Sequence, residues 1–280
     1  MKKIAITGGK GGTGKSTFSV LFAKELFLKN RRVVLVDCDV ECPNDYLLLG
    51  IKFKRPRRNI YRFFPKLIRK KCKKCGLCAQ NCPFHAIFQK PGEYPIFLEE
   101  FCQGCGLCWK ICPFGAIKPV KRKTGEIFLS KVKENFWLIT GRSEENVEET
   151  RPIVKKTKEF AISFARKIKA DYLLIDTAAG IHCPVIEALI GADLMYLVTE
   201  PTPMGAHDLE TILSLGEKLR IPQRIVINQS NLGSKEKIYS LSRKYRIGIE
   251  REIPYSFELA KLYSQGKILK YSLKVSENKK

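Results

Sequence analysis

The segment Gly8-Gly9-Lys10-Gly11-Gly12-Thr13-Gly14-Lys15-Ser16-Thr17 constrains the fold of this chain more than any other. It follows the apolar run Lys3-Ile4-Ala5-Ile6-Thr7. From Gly9 to Ser16 it satisfies G-x-x-x-x-G-K-[ST], the phosphate-cradling P-loop. Glycines let the backbone curl so that successive N–H groups point at phosphate oxygens, and a helix starting near Lys15 adds its positive N-terminal end. Lys15 is suited to neutralise β- and γ-phosphates, and the Ser16 hydroxyl to hold Mg²⁺. Such a loop works only between a strand and a helix. The strand-like residues 2–7 precede it, and Phe18, Leu21, Phe22 and Leu26 follow at helical spacing.

Further apolar runs repeat this pattern. Arg32-Val33-Val34-Leu35-Val36-Asp37 and Asp171-Tyr172-Leu173-Leu174-Ile175-Asp176 read as buried parallel strands ending in an acid. Residues 193–199 form another such run, and 224–228 a fourth that ends in the amide of Asn228. Helical patterns over 150–169, 206–219 and 234–245 separate them. Alternating βα units predict an α/β fold with a doubly wound, mostly parallel sheet. In that topology the acids at strand ends converge on the P-loop, where a metal–phosphate complex needs them. The competing reading for Asp37 or Asp176 is a cap at a strand end.

Between about 52 and 125 the rhythm breaks. A basic stretch from Lys52 to Lys71 leads into a duplicated segment. Cys72, Cys75, Cys78 and Cys82 recur as Cys102, Cys105, Cys108 and Cys112, each offset by thirty positions, with proline after the fourth. C-x₂-C-x₂-C-x₃-C-P is the bacterial ferredoxin run, in which the fourth cysteine ligates the other cluster. The predicted sets are Cys72, Cys75, Cys78 and Cys112 on one 4Fe–4S centre, and Cys102, Cys105, Cys108 and Cys82 on the second. Two structural zinc sites are the alternative, but zinc usually takes two separated pairs and the duplicated run fits that poorly. The expected organisation is an N-terminal part of an ATPase domain (1–60), an inserted small α+β ferredoxin-like domain (61–122) and the remainder of the ATPase domain (123–280).

The eleven cysteines in a chain without a signal-peptide pattern argue for metal ligation in the cytoplasm rather than disulfides. No run of about eighteen apolar residues predicts a membrane helix. The formal charge is +23, and two clusters would lower it by about four units, counting four thiolates against a 2+ core in each. The surface stays basic and suits an acidic protein partner, or is simply solvated. Residues 267–280 carry few large apolar side chains and are expected to form a loose tail, with no membrane anchor.

With its second lysine at Lys10, the loop resembles the deviant Walker A motif of the MinD/ParA ATPases. Asp37-Cys38-Asp39 is similar to their switch I, Asp176-Thr177-Ala178-Ala179-Gly180 to their Walker B and switch II, and Asn228 and Ile253-Pro254 to their adenine-side segments. Taken with the cysteine repeat, the chain resembles MinD-superfamily P-loop ATPases that carry an inserted two-cluster ferredoxin domain. The resemblance implies ATP and Mg²⁺ as cofactors beside two 4Fe–4S clusters. It implies an ATP-dependent homodimer, or a heterodimer with a paralogue. Lys10 would reach the partner's phosphates, Asp39 would position the attacking water, and Ser16, Asp37 and Asp176 would serve Mg²⁺. Gly9, Gly11, Gly12, Thr13, Gly14, Lys15, Ser16, Thr17, Asn228 and Pro254 would hold the nucleotide.

The nitrogenase iron protein, a relative of that group, has a cluster-binding cysteine in the region of Cys183. Here Cys183 reads instead as a buried free thiol. Three functions follow from the resemblance. The first is an ATPase coupling nucleotide turnover to electron transfer with a redox protein partner. The second is an ATP-dependent iron–sulfur carrier or assembly factor. The third is a ParA-like positioning protein with redox-sensing clusters, although nucleic acid is not expected as a partner.

Overall fold

The computed structural model describes residues 1–272. The chain divides into two compact units: residues Met1–Arg58, Ile127–Arg142 and Arg151 onwards in the first, and Asn59–Glu126 with Ser143–Thr150 in the second.

The larger unit is a three-layer α/β structure. Its strands are β1 (Lys2–Thr7), β2 (Val33–Asp37), β8 (Tyr172–Asp176), β9 (Leu194–Thr199), β10 (Gln223–Asn228) and β11 (Ile249–Ile253), together with most of β7 (Phe136–Ser143). The order is β11-β10-β9-β1-β8-β2-β7, and the pairings among them are parallel. The end of β6 (Ile117–Lys133) lies beside β7, joined to it by residues 134–135. A two-residue connection can link only antiparallel strands. The sheet is therefore parallel with one reversed strand at its β7 side. That hairpin has no counterpart in the sequence reading: lysines and a glutamate interrupt β6, while the apolar run Phe136–Ile139 of β7, which pairs parallel to β2, falls outside the four runs noted above.

Both faces of the sheet are covered. Ile4, Ile6, Val33, Leu35, Leu174, Tyr196 and Val198 pack with α1 (Lys15–Leu28) in one core. Their alternate neighbours Ala5, Val34, Val36, Leu173 and Ile175 are equally buried on the opposite face, against which α5 (Arg151–Lys167) packs. Alternation across the pleat thus feeds two cores from strands that read as continuous apolar runs. The apolar residues of α1 go beyond a single stripe, for Val20 and Ala23 are buried as well as Phe18, Leu21, Phe22 and Leu26. The Phe18 and Phe22 rings stack at 5.5 Å, and Tyr196 meets both edge-on. Helices α7 (Pro203–Leu219), α8 (Glu236–Tyr245) and α9 (Phe257–Ser264) complete the unit.

The expected loose tail is corrected over its first residues. Ile268–Lys270 form a 3₁₀ turn, and Ile268 and Tyr271 are buried in the α1 core. Lys24 Nζ donates to the Tyr271 carbonyl at 2.6 Å. Two apolar side chains at the right separation suffice to fill a groove, which a count of large residues overlooks. Residues 273–280 lie outside the described part. Among the described residues no helix is long and apolar enough to cross a membrane.

The smaller unit contains most of β3 (Arg58–Leu67), the first part of β6, the short antiparallel pair β4 (Ile87–Phe88) and β5 (Ile96–Phe97), and two one-turn helices, α3 (Leu77–Gln80) and α4 (Leu107–Lys110). Strand β3 falls where the sequence shows only a basic stretch. The acidic segment 143–150 belongs to this unit because it engages Arg62, a buried arginine. Arg62 donates to the Glu149 carbonyl at 3.1 Å and the Cys102 carbonyl at 2.7 Å, while Gln103 donates to the Glu149 carboxylate. Few apolar residues are buried here, Ile60, Phe64, Ile87 and Ile117 among them.

Candidate functional site

Strand β1 ends at Thr7, and the loop that follows makes a nest under the start of α1. Gly12 and Gly14 have φ near +82° and +88°, a region costly for any other residue. A Cβ on Gly14 would overlap the Asn228 amide, and one on Gly9 would stand 2.7 Å from the Asp208 carbonyl. The loop thus lies close against β10 and α7. Asn228 Nδ2 donates to the Thr13 carbonyl at 3.0 Å, and Lys15 Nζ folds back onto the Lys10 carbonyl at 3.0 Å.

A cleft of about 360 Å³ opens over this nest, lined by Gly11, Gly12, Gly14, Lys15, Ser16 and Thr17 on one side. Asp39 and Asn44 come from the turn after β2, and Asn228, Pro254, Tyr255 and Tyr263 from β10 and the α9 region. Most of the predicted nucleotide residues therefore share one cavity. Thr13 contributes its backbone from beneath, and Gly9 packs on α7. Tyr255, Leu259 and Tyr263 have no sequence motif, yet they supply the apolar end of the cleft. Lys10 does not line it. Its ammonium pairs with Glu200 at 2.6 Å, a partner that sequence spacing does not reveal.

Beneath the loop lie the acids. Parallel register sets Asp37 beside Asp176, each the last residue of its strand and each fully buried. Asp37 accepts backbone N–H bonds from Asp39 at 3.1 Å, Asn44 at 3.0 Å and Asp45 at 3.2 Å. Asp176 Oδ1 accepts from Ser19 at 2.7 Å, and the Ser16 hydroxyl also bonds this carboxylate. Asp45, the first residue of α2 (Asp45–Leu48), joins them. Ligand oxygens of Asp37, Asp45 and Asp176 all lie within 4.8 Å of one another.

Burial, then the Asp176 charge, holds the Asp37 carboxyl well above the ordinary carboxylate range despite its three N–H bonds. Burial raises Asp45 in the same way, with Asp176 and Asp37 adding to it, and pushes Asp176 up to about 6. Burial also lowers the Lys15 ammonium, against the pull of Asp176 and Asp39. Asp39 sits at the cleft wall, accepting the Cys42 N–H at 3.2 Å. Both Asp45 oxygens and Asp176 Oδ2 are buried without a hydrogen-bond partner. Orphaned carboxylate oxygens next to a serine hydroxyl make a donor set that fits Mg²⁺.

The cysteine repeat of the smaller unit keeps its thirty-residue offset in the backbone. Gly76 and Gly106 have φ near +82° and +84°, and His85 and Gly115 near +50° and +54°. Ala86 N–H donates to Cys82 Sγ at 3.3 Å, and Ala116 N–H to Cys112 Sγ at 3.4 Å. Two cavities result. Cys72, Cys75, Cys78 and Cys112 line one, and Cys82, Cys102, Cys105 and Cys108 line the other. Each cavity thus takes three thiols from one repeat and the fourth from the other, a donor set that suits a cubane and not the two separated pairs usual for zinc.

Cys183, read from sequence as buried, is exposed: it opens α6 (Cys183–Leu189), so the chain packs Val185, Ala188 and Leu189 inward instead. Cys42 is also exposed, while Cys38 is buried.

Two uncharacterized proteins of Methanocaldococcus jannaschii are 37% and 36% identical to this chain, covering 97% and 99% of it and 93% of each relative. An iron–sulfur cluster carrier protein of Rickettsia bellii is 26% identical over 98% of this chain and 68% of its own length. Among solved structures, the MinC:MinD cell division complex of Aquifex aeolicus matches with a TM-score of 0.58 at 18% identity, over 96% of this chain and 88% of that one. MinD of Pyrococcus horikoshii with Mg-ADP matches at 0.55 and 20%, over 95% and 86%. These structural likenesses speak to the fold, the P-loop ATPase fold of the MinD/ParA type. The CobQ/CobB/MinD/ParA nucleotide-binding domain model matches residues 4–269, and with the nest, the paired strand-end acids and the cleft in place, the chain belongs to that family.

Proposed function

We propose that this protein is an ATPase that couples ATP binding and hydrolysis, in a nucleotide-dependent dimer, to electron transfer through two 4Fe–4S clusters in an inserted ferredoxin-like module. The observation that carries the redox half is the sorting of eight cysteines into two cavities, each taking three from one repeat and the fourth from the other. The boundaries proposed for the insert are about 61 and 122.

On this reading the triphosphate lies in the nest, where the N–H groups of Gly11 to Ser16 and the Lys15 ammonium balance its charge. When bound, Mg²⁺ supplies Lewis-acid polarisation of the phosphates, with Ser16, Asp37 and Asp176 around it. Asp39 stands at the cleft wall, positioned to orient a water. Lys10 leaves Glu200 to serve the partner's nucleotide. Asn228 and Pro254 hold the base. When bound, each cluster supplies a one-electron redox centre. Switch I is the two-state element that nucleotide would bias, and the insert follows it directly in sequence.

The test is an anaerobic EPR-monitored redox titration with and without ATP and a non-hydrolysable analogue. Two 4Fe–4S signals whose potential or coupling moves with nucleotide are expected. Nucleotide-insensitive clusters would refute the coupling.

A second reading, an iron–sulfur carrier, has a specific support: Cys42 and Cys183 are exposed thiols outside the two quartets, and distant relatives carry the carrier name. Cluster transfer to an apo-acceptor that is lost in Cys183→Ser, with both quartets still loaded, would favour it.

A further inference from the structure

We infer that Asp45, with Asp37 and Asp176, forms a site for one hard divalent cation of the Mg²⁺ or Mn²⁺ kind that loads in the absence of nucleotide. This extends the metal role proposed for Asp37 and Asp176 and adds a third carboxylate that no motif marks.

Hydrogen bonds and charge are both left unbalanced in this cluster. All three carboxyl groups are fully buried, and their ligand atoms lie within 4.8 Å of one another. Asp37 is well provided, with three backbone N–H donors. Asp45 has none on either oxygen, and Asp176 none on Oδ2. A buried carboxylate without partners costs several kcal/mol, roughly, and three in contact repel one another besides. Lys15 faces Asp176 and Asp39 from above and supplies one positive charge toward the group.

Protons alone do not resolve the cluster. A proton on Asp45 gives one oxygen an O–H to donate to a neighbouring carboxylate, but it leaves the other Asp45 oxygen without a partner and the remaining charge of the cluster unbalanced. A divalent ion takes an oxygen from each of the three carboxylates and answers their charge together. Octahedral Mg²⁺ or Mn²⁺ with bonds of about 2.1 Å spaces its ligands at about 3.0 Å (cis) to 4.2 Å (trans), a contraction the 4.8 Å limit needs little movement to reach. The all-oxygen donor set selects hard cations over zinc or copper. Because the oxygens come from β2, β8 and the first residue of α2, the site is complete without any phosphate oxygen.

The experiment titrates Mn²⁺ alone into the nucleotide-stripped full chain, counting free Mn²⁺ by EPR. One Mn²⁺ per wild-type chain is expected, with a rise in melting temperature. Asp45→Asn should lower the affinity by at least about tenfold and abolish the Mn²⁺-dependent rise, since even indirect support of a metal ligand is worth that much. Equal Mn²⁺ affinity in Asp45→Asn overturns the inference. Wild type that binds Mn²⁺ only together with ADP overturns it too, and leaves the nucleotide reading intact. Mn²⁺ binding in a chain that takes up no nucleotide would do the reverse. Should Asp45→Asn not fold, the wild-type titration still decides, and Asp45→Ser supplies the comparison.

Discussion

Lys15 is almost wholly buried, yet its ammonium spends itself on the Lys10 carbonyl, so a strong donor is held ready within the nest. Burial already weakens its hold on the proton, and a triphosphate would restore the charge. Lys15→Ala should cost roughly 2–3 kcal/mol of nucleotide binding, about 30- to 150-fold, by the usual worth of hydrogen bonds to charged groups. Calorimetric titration with ATP checks this. The visible absorbance of the proposed clusters should stay unchanged, because no residue of either quartet belongs to the loop. Loss of that absorbance would contradict the independence of the two sites. Glu200 is the residue whose role the pattern of the sequence hides: its pairing with Lys10 spans 190 positions and rests on β9 ending near the loop.

At the scale of elements, α1 is the keystone of the larger unit, and its surroundings come from distant parts of the chain. Ile268 is fully buried in the α1 core. Ile268→Ala should lower stability by about 2–4 kcal/mol through lost transfer energy and a cavity, read from chemical denaturation. An unchanged midpoint would mean that the 3₁₀ turn is not docked in solution. The C-terminal half of α1 is also tied through Glu25, which accepts from the Arg251 guanidinium on β11 at 3.1 Å through one of its two contacts, and from Lys29 at 2.8 Å. Burial pushes the Glu25 carboxyl up, but the Arg251 and Lys29 hydrogen bonds outweigh it and leave the pKa below the ordinary glutamate value. A depressed carboxyl contributes stability that is present above its unfolded pKa near 4.3 and is lost as pH falls through the folded value. The melting-temperature gap between wild type and Glu25→Gln should therefore hold from pH 7 to about 5 and close as pH drops below about 4. A gap independent of pH would show that packing, not ionisation, sustains the contact.

At the scale of the molecule, the smaller unit has too little buried apolar surface to hold its shape by packing alone, so bound clusters would act as staples. Chelation of iron under oxidising conditions should unfold this unit and leave the parallel sheet intact, visible by hydrogen exchange as lost protection confined to 59–126 and 143–150. Cys112→Ser offers the finer test. It should damage the centre bound mainly by the first repeat, since Cys112 lines the cavity of Cys72, Cys75 and Cys78. Loss confined to the centre of the second repeat would overturn the proposed crossed ligation.

The sequence by itself determined what depends on local pattern. The strands ending at Asp37, Asp176 and Asn228 are legible because a strand buried on both faces must be apolar throughout. The loop is legible because only glycine tolerates its backbone, and the repeat because its cysteines recur at an offset of thirty positions. What only the tertiary structure decided are the contacts across long separations. Lys10 meets Glu200, Asp45 joins Asp37 and Asp176, Ile268 fills a groove on α1, and Arg62 gathers the acidic segment 143–150. Each of these involves at least one side chain, Glu200, Asp45, Ile268 or Arg62, that is unremarkable in its own stretch of sequence. Their meaning arises when the order of strands, which no local periodicity encodes, brings them within a few ångströms.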